Sequence, residues 1–334
     1  MHISELAESF AATLPRAQRA RLHQEYSAAN AARWSNFPQS ALGHRGRLGL
    51  RTGALTPEQW RAPNTLLAAA TGTAPNRGYD KIQQHLDADD HLRAHGAGYG
   101  YGYGYGYGYG YGYGYGYGYG YGRGNFYVAF LGTPSEIGRW ELQFGGHHLA
   151  VANTYADGAL IGATPSFRGI EPFAGFEARD GVREPGRHMR EALAALLAAL
   201  SPAQSAAARL GRPHHDLLLG PGRDWAFPSR AEGIAGVELT AEQRTLLPAA
   251  IEEYVADVDD ESAARILAGY ARELDATHVA FTGSASLLRP GDYIRIDGPS
   301  VWVEFSMHDG IVLAEPHPHA VWRDKNTDYG GRGF

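Results

Sequence analysis

A run of twelve consecutive Tyr-Gly dipeptides, from Tyr99 to Gly122, limits the folds open to this chain more than any other stretch. Glycine at every second position opposes a helix by about 1 kcal/mol per residue relative to alanine. In an extended chain the same alternation would place all the phenol rings on one face. Fully extended, the tract would span roughly 80 Å at about 3.3 Å per residue. We therefore predict a flexible insertion at residues 98–124 that can reach almost any point on its own domain.

The composition of the whole chain is that of a globular protein and excludes several classes of function. Its 334 residues, 44% of them hydrophobic, suffice for one large domain. The net charge of −6, without a dense stripe of Lys and Arg, argues against a nucleic-acid partner. The chain has no cysteine, which excludes disulfides, thiolate nucleophiles and Cys-based metal sites. Any metal must therefore be held by His, Asp, Glu or Tyr, and the chain has 15 His.

The sequence shows no targeting or membrane signal. No apolar run approaches the roughly 18 residues that a membrane span requires. The first residues, MHISELAESF, have neither the basic start nor the apolar run of a signal peptide. We therefore expect a cytoplasmic protein without a membrane partner. The sequence leaves open whether partners for export or processing act on it.

The apolar periodicity predicts an α+β fold in a single domain, with a mostly antiparallel sheet packed against helices. Residues 1–95 are predicted to be helical, with Thr56 as an N-cap before Pro57. Residues 125–334 are predicted to be a β-rich core with a helical insert at 187–275, because short strand-like runs are separated there by Gly or Pro. The Tyr-Gly tract lies at the join between the two parts.

Histidine pairs are the best candidates for chemistry. His317 and His319, in AEPHPHAVW, are two residues apart in an expected strand, so their side chains should point the same way. Pro316 and Pro318 stiffen the segment by fixing φ. Two imidazoles on one face of a rigid strand form a good half of a metal site. The alternative is a pair of solvated or hydrogen-bonded surface histidines.

A second pair, His147 and His148 in FGGHHLAV, is adjacent on a probable strand. Neighbouring strand residues face opposite ways, so only one of the two is expected to complete the metal site. A bulge at Gly145–Gly146 would re-aim them. The third pair, His214-His215, lies in a loop rich in Gly and Pro, where a purely structural role is the better interpretation.

Polar residues near the His pair are candidates for supporting roles. Glu304 lies in VWVEFS, where Val301, Val303 and Phe305 are expected to enter the core and leave the glutamate on the other face. Arg323, Asp324 and Asp328 follow the His317/His319 pair closely and could orient metal ligands. The alternative for the last three is a solvated C-terminal tail.

Several motifs together resemble the domain-of-unknown-function 3500 (DUF3500) family across nearly the whole chain: NFYVAFLGTPS, FGGHHLAVANTY, YIRIDGPSVWVEF and HPHAVWRDKNTDYG. The family name implies no activity. Its recurring signatures fall on His147, His148, His317, His319, Trp322, Arg323, Asp324, Asp328, Tyr329 and Gly330. The resemblance favours a metal site at the four histidines. It also implies a short ordinary linker where this chain carries the Tyr-Gly tract.

Three interpretations of the tract compete. A passive linker would use the flexibility of glycine but would not need twelve phenols. A sticky tract would promote self-association. A built-in substrate would benefit from the millimolar effective concentration that a flexible tether provides. We favour the third. The candidate substrate residues are Tyr99, Tyr101, Tyr103, Tyr105, Tyr107, Tyr109, Tyr111, Tyr113, Tyr115, Tyr117, Tyr119 and Tyr121.

The resulting hypothesis is a metal-dependent oxidative enzyme that modifies its own Tyr-Gly repeat. A histidine site without thiolate suits copper, while two His with a carboxylate suit iron. Dioxygen would be the co-substrate, and Glu304, Arg323 and Asp324 are the expected catalytic residues. One alternative is a zinc-dependent hydrolase with Glu304 as general base. The other is a non-catalytic metal-binding or assembly protein.

Overall fold

Among the described residues, strands from the N-terminal and C-terminal parts of the chain pair in one sheet of twelve strands. The computed structural model describes residues 2–42, 46–95, 120–178, 181–310 and 312–334. Within them the strands of the large sheet are β1 (His23–Gln24), β2 (Leu50–Arg51), β3 (Tyr127–Leu131), β4 (Arg139–Gly146), β5 (Leu149–Ala156), β6 (Ala159–Gly162), β7 (Ser166–Gly169), β10 (Ile234–Ala235), β11 (His278–Thr282), β12 (Tyr293–Asp297), β13 (Val301–His308) and β14 (His317–Asp324). Their order across the sheet is β1-β3-β4-β5-β7-β14-β13-β12-β11-β10, with β2 beside β3 and β6 beside β5. A separate hairpin pairs β8 (Phe176–Ala178) with β9 (Gly181–Arg183).

Every strand pair of the large sheet is antiparallel except β1 with β3. The described helices are α1 (Ile3–Ala12), α2 (Arg16–Leu22), α3 (Ala28–Ala31), α4 (Pro57–Ala70), α5 (Gly78–His95), α6 (Arg187–Ala198), α7 (Pro202–Ala208), α8 (Gln243–Val255) and α9 (Asp260–Ala271). The α+β prediction is therefore confirmed. The N-cap at Thr56 is also present, since its hydroxyl accepts a hydrogen bond from the amide of Gln59. No helix within the described ranges is long and apolar enough to cross a membrane.

The N-terminal third departs from the predicted helices at two points. His23–Gln24 form a short strand parallel to β3, where a continuing helix was expected. Leu50–Arg51 form a second short strand antiparallel to β3. Helical periodicity fails at both places because edge pairing with β3 satisfies the backbone groups of these residues. These strands attach the helical part to the sheet.

The two faces of the sheet have different characters. Val303 and Phe305 of β13 pack in the main hydrophobic core with Leu193 of α6 and Leu247 of α8. The alternate residues of β13 face the other way, as predicted, and are buried except for the partly exposed His308. That second face is polar and carries Trp302, Glu304, Ser306 and His308. The candidate site lies on it.

Candidate metal centre

The strand β14 places His317 and His319 on one face of the sheet, as their spacing predicted. The strand lies between β7 and β13, so both sides of it are paired. In the register, His317 is opposite His308 of β13, and His319 is opposite Ser306 of β13 and Gly169 of β7. Directly opposite residues share a face of the sheet. The polar face therefore brings three histidines from two strands together.

His147 and His148 lie in a turn and not on a strand, which corrects the expectation for this pair. They form the two-residue connection of the β4–β5 hairpin, since Gly146 pairs directly with Leu149. The β4–β5 register runs without a bulge through Gly145 and Gly146. His148 takes a φ of +58°, a conformation for which histidine is enriched among the non-glycine residues. The turn stacks the two imidazoles with ring centroids 3.8 Å apart, so they do not face opposite ways.

The hairpin turn brings His148 to the β14 pair. Its ring lies over Gly169, where a Cβ atom would be 2.9 Å from the ring, so a glycine is required there. His148 Nε2 is 3.4 Å from His319 Nε2. One ring nitrogen from each of His148, His317 and His319 lies within 4.8 Å of the others, and all three residues are buried. We call these three residues the His triad.

The spacing within the His triad suits a metal ion. A tetrahedral ion with metal–nitrogen bonds of about 2.0–2.1 Å separates its ligand atoms by about 3.3–3.4 Å. The 3.4 Å between the Nε2 atoms of His148 and His319 matches that separation. The ligand nitrogen of His317 lies within 4.8 Å of the other two. Three histidines leave one position of a tetrahedral ion open.

His317 has both of its ring nitrogens available to bind a ligand. Its side chain is fully buried, and neither ring nitrogen has a hydrogen-bond partner among the described residues. Such an unpartnered buried group costs about 1–3 kcal/mol. Burial, followed by the charges of neighbouring histidines, lowers the pKa of His317 to about 3. The same two causes lower the pKa of His148. The triad therefore presents neutral imidazoles, the form that binds metal ions.

Asp216 was missed by the sequence analysis and orients the triad from outside. Its Oδ1 accepts a hydrogen bond from His319 Nδ1 at 3.2 Å, which leaves Nε2 of that ring free to face the triad. His308 Nε2 approaches the same oxygen to 3.1 Å. Although burial opposes it, contact with these two histidines holds the pKa of Asp216 well below its usual range. The signal that could have found His308 is the two-residue alternation of β13, which places it on the face of Glu304.

His147 stands outside the His triad and has a separate partner. Its Nδ1 donates to Asp89 Oδ1 at 2.7 Å, and both side chains are buried. The structure therefore brings three of the four predicted metal ligands together and places the fourth beside them. Asp89 lies on α5 and carried no signal in the sequence. A buried carboxylate that fixes an imidazole is typical of catalytic and metal sites.

The C-terminal end of the Tyr-Gly tract reaches this site. The ring of Tyr121 stands edge-on to that of His147, with centroids 4.9 Å apart. The amide of Gly122 donates to Asp89 Oδ2 at 2.6 Å, so one carboxylate holds both the histidine and the tract. The side chain of Asn125 donates to the carbonyl of Tyr121 at 2.8 Å. The eleven earlier tyrosines of the tract lie outside the described residues.

Acidic residues of α5 anchor the residue that follows the tract. The Arg123 guanidinium contacts Asp87 at 2.6 Å and also pairs with Asp90. The amide of Arg123 donates to Asp90 at 2.9 Å. Gly122 has a φ of +100°, and a Cβ atom there would lie 2.9 Å from the side chain of Arg93, so only glycine fits. This end of the tract is therefore held at the site by several directed contacts.

Glu304 occupies the same face but binds other partners. Its carboxylate accepts hydrogen bonds from the amides of Leu218 and Leu219, the hydroxyl of Tyr293 and the indole of Trp302, at 2.7–2.9 Å. Burial raises the pKa of Glu304. Among the described residues these four donors account for both oxygens, and none of them is a histidine. The structure thus places Glu304 as the anchor of the 216–219 loop that carries Asp216.

Arg323 and Asp324 point to opposite faces of β14. Arg323 is fully buried and pairs with Asp328 at 2.9 Å and with Asp224 at 3.1 Å. The Asp324 carboxylate instead accepts from the hydroxyl of Tyr270 at 2.7 Å and from the amides that follow it, on the face opposite the histidines. The structure therefore places the Asp324 carboxylate away from the histidines, where it was expected to support a metal. The motif is no solvated tail, because it forms a buried polar network.

The His214-His215 pair does not join the triad. The ring of His214 stacks on Tyr293 with centroids 4.4 Å apart, and His215 is exposed. This arrangement agrees with the structural role predicted for the pair.

A family described as "Protein of unknown function (DUF3500)" matches residues 1–331. No curated protein and no solved structure matches the chain. The family match agrees with the motifs that surround the His triad and the β14 network.

Proposed function

Since the chain belongs to the DUF3500 family, whose description assigns no activity, we propose its function from the site alone. The protein is a His-ligated, metal-dependent oxidative enzyme that modifies Tyr-Gly units of its own repeat. The observation that carries this proposal is the position of Tyr121, the last tyrosine of the repeat, against His147 beside the His triad. A linker would not need such a contact.

Copper is the favoured metal. The triad offers three neutral imidazoles and no thiolate, a donor set that suits copper and other borderline divalent metals. Iron becomes the better candidate if Asp216 acts as a ligand, because two histidines with one carboxylate suit non-haem iron. Bound copper or iron would supply the electron transfer to dioxygen.

Residues of this chain orient the end of the tract beside His147. Asp89 holds the imidazole of His147 with one oxygen and the backbone of Gly122 with the other, at 2.7 and 2.6 Å. Arg123 fixes the direction in which the tract leaves the site. A tethered substrate is present at a millimolar effective concentration, so weak recognition of each unit suffices. Identical units allow one pocket to accept any of them.

Dioxygen can oxidise Tyr-Gly units in two ways for which atoms and electrons balance: coupling of two units and hydroxylation of one. Coupling of two phenol rings forms one carbon–carbon or carbon–oxygen bond and removes two hydrogens, which dioxygen takes up as hydrogen peroxide. Hydroxylation inserts one oxygen atom, and an external reductant must supply the two electrons that convert the other oxygen to water. Hydroxylation at the glycine Cα would lead to cleavage of the backbone. The mass of the product distinguishes these outcomes.

The test is the mass of the tract in the full chain. Protein is prepared without metal, loaded with Cu²⁺, Fe²⁺ or Zn²⁺, exposed to air with and without ascorbate, and digested after Arg93 and Arg123. We expect a mass change in the tract that requires copper or iron and air. The change should be lost when His317 and His319 are replaced by Ala, and kept in His215→Ala, an exposed histidine outside the triad. An unchanged mass in both the copper-loaded and the iron-loaded protein overturns the proposal.

A zinc-dependent hydrolase is the second candidate, because three histidines with one open position also describe a catalytic zinc site. Glu304 does not favour it as general base, since its oxygens already accept four hydrogen bonds. Zinc in protein purified without added metal, together with an unmodified tract under copper and air, would support this candidate.

A further inference from the structure

The imidazole of His319 has a different neighbour at each ring nitrogen. Its Nε2 faces His148 Nε2 at 3.4 Å, inside the His triad. Its Nδ1 faces Asp216 Oδ1 at 3.2 Å, on the other side of the ring. His308 lies on this second side, with its ring centroid 4.1 Å from that of His319. One ring therefore borders two clusters of potential ligands.

The second cluster has the spacing of a metal site. His308 Nε2 is 3.1 Å from Asp216 Oδ1, yet this buried nitrogen forms no directed hydrogen bond within the described residues. Atoms that bind one ion come close together without pointing at each other. Bonds of about 2.0–2.2 Å separate neighbouring ligand atoms by about 2.8–3.1 Å at a square-planar ion and by about 3.3–3.6 Å at a tetrahedral one. One ligand atom from each of Asp216, His308 and His319 lies within 4.8 Å of the others.

We propose that Asp216, His308 and His319 form a second metal site, so that the His319 imidazole bridges two divalent ions, each Cu²⁺ or Zn²⁺. When both ions bind, the Nδ1 proton of His319 leaves to solvent and each nitrogen offers a lone pair. The side chain of Asp216 is 58% exposed, so an ion and its water ligands can enter from that side. The other ion would bind to the His triad, the site of the proposed function.

A second copper would bear directly on the proposed chemistry. Reduction of dioxygen to hydrogen peroxide takes two electrons, and a pair of Cu⁺ ions supplies both. The buried triad would hold the ion nearer to His147 and Tyr121, and the second cluster would hold the ion nearer to solvent. The inference rests on the proposed function only for this role, because its geometry is independent of it.

The experiment is a copper titration of the metal-free full chain without dioxygen or reductant. Copper per chain is measured by elemental analysis after gel filtration, and the Cu²⁺ signal by electron paramagnetic resonance. We expect two copper ions per chain and a signal smaller than their sum, because an imidazolate bridge couples the two spins. His308→Ala and Asp216→Asn should each bind one ion and give an uncoupled signal. His317→Ala should also fall to one ion.

His215→Ala is the matched control, since it removes an exposed histidine next to Asp216, and it should keep two ions. Thermal unfolding verifies that each variant folds; the exposed position of Asp216 makes Asp216→Asn the safer variant. A wild-type chain that binds one copper, or a His308→Ala variant that still binds two, overturns the inference. Two coupled copper ions, with a tract that stays unmodified in air under both copper and iron, would keep the second site and overturn the proposed function instead.

Discussion

The phenol ring of Tyr121 stands edge-on to the imidazole of His147, with ring centroids 4.9 Å apart. Asp89, which lies 33 positions before Gly122 in the chain, holds Tyr121 in this contact because its carboxylate binds the backbone amide of Gly122. The same carboxylate binds His147. The end of the repeat and the edge of the candidate metal centre are therefore positioned by one side chain. This relationship supports the proposal that the tract is a substrate and not a passive linker.

Asp89→Asn should uncouple the tract from the site. An amide has one acceptor oxygen, so it can hold either His147 or the amide of Gly122 in the present geometry, but not both. Misplacement by about 1 Å costs roughly 100-fold in rate, and we expect a loss of that order in modification of the tract. Copper content should not change. Time-resolved mass spectrometry measures the rate, with Glu58→Gln, an exposed carboxylate on α4, as control. An unchanged rate would show that Asp89 has no part in positioning the substrate.

His317→Leu should stabilise the metal-free protein. The variant replaces two unpartnered buried nitrogens by an apolar group of similar size, which removes a penalty of about 1–3 kcal/mol. Copper at 100 times its dissociation constant should stabilise the wild type by about 2.7 kcal/mol and the variant by less. Urea denaturation with and without a chelator measures both free energies of unfolding. A variant less stable than wild type without metal would indicate that His317 serves packing and not metal binding.

The metal-free protein should lose stability as the pH falls below about 6.5, partly through His85 of α5. Burial, and then the charge of Arg168, lowers the pKa of His85 to about 3 in the folded state. Between about pH 3 and pH 6.5, this histidine is protonated in the unfolded chain but not in the native one. A fall in pH within this range therefore stabilises the unfolded state relative to the native state. The contribution of His85 to the free energy of unfolding is complete above pH 6.5 and falls by about 1.4 kcal/mol per pH unit towards pH 3.

Denaturation at a series of pH values measures this dependence. Between pH 3 and pH 6.5, His85→Leu should reduce the slope of the free energy of unfolding against pH by about 1.4 kcal/mol per pH unit, the value for one proton. Ile82→Val, a buried replacement on the same helix that removes no titratable group, is the control and should leave the slope unchanged. A slope that His85→Leu does not alter would mean that the acid sensitivity comes from other groups.

Asp328→Ala should destabilise the fold without removing the metal. Arg323 is fully buried and relies on Asp328 and Asp224 for its charge partners. Removal of one partner from a buried ion pair costs about 3–5 kcal/mol. Thermal or urea unfolding measures the loss, and copper per folded chain should stay at the wild-type value. The exposed Asp309→Asn is the matched control. Full stability combined with lost activity would instead assign Asp328 a catalytic role.

Local patterns in the sequence predicted much of the fold. The alternation in β13 correctly separated Val303 and Phe305 from Glu304, and the spacing of His317 and His319 correctly placed them on one face. These predictions succeed because side-chain direction in a strand depends on neighbouring residues alone. The expectation for His147 and His148 failed because a two-residue hairpin turn replaces the strand geometry at that point.

The sequence by itself determined the α+β class and the shared face of His317 and His319. Only the tertiary structure decided which other residues join the candidate metal centre. His148 comes from a hairpin 171 residues before His319, and Asp216 from a loop 103 residues before it. Asp89 meets Gly122 across the whole tract. Such contacts depend on strand register and on loop packing over long separations, and no local periodicity encodes them.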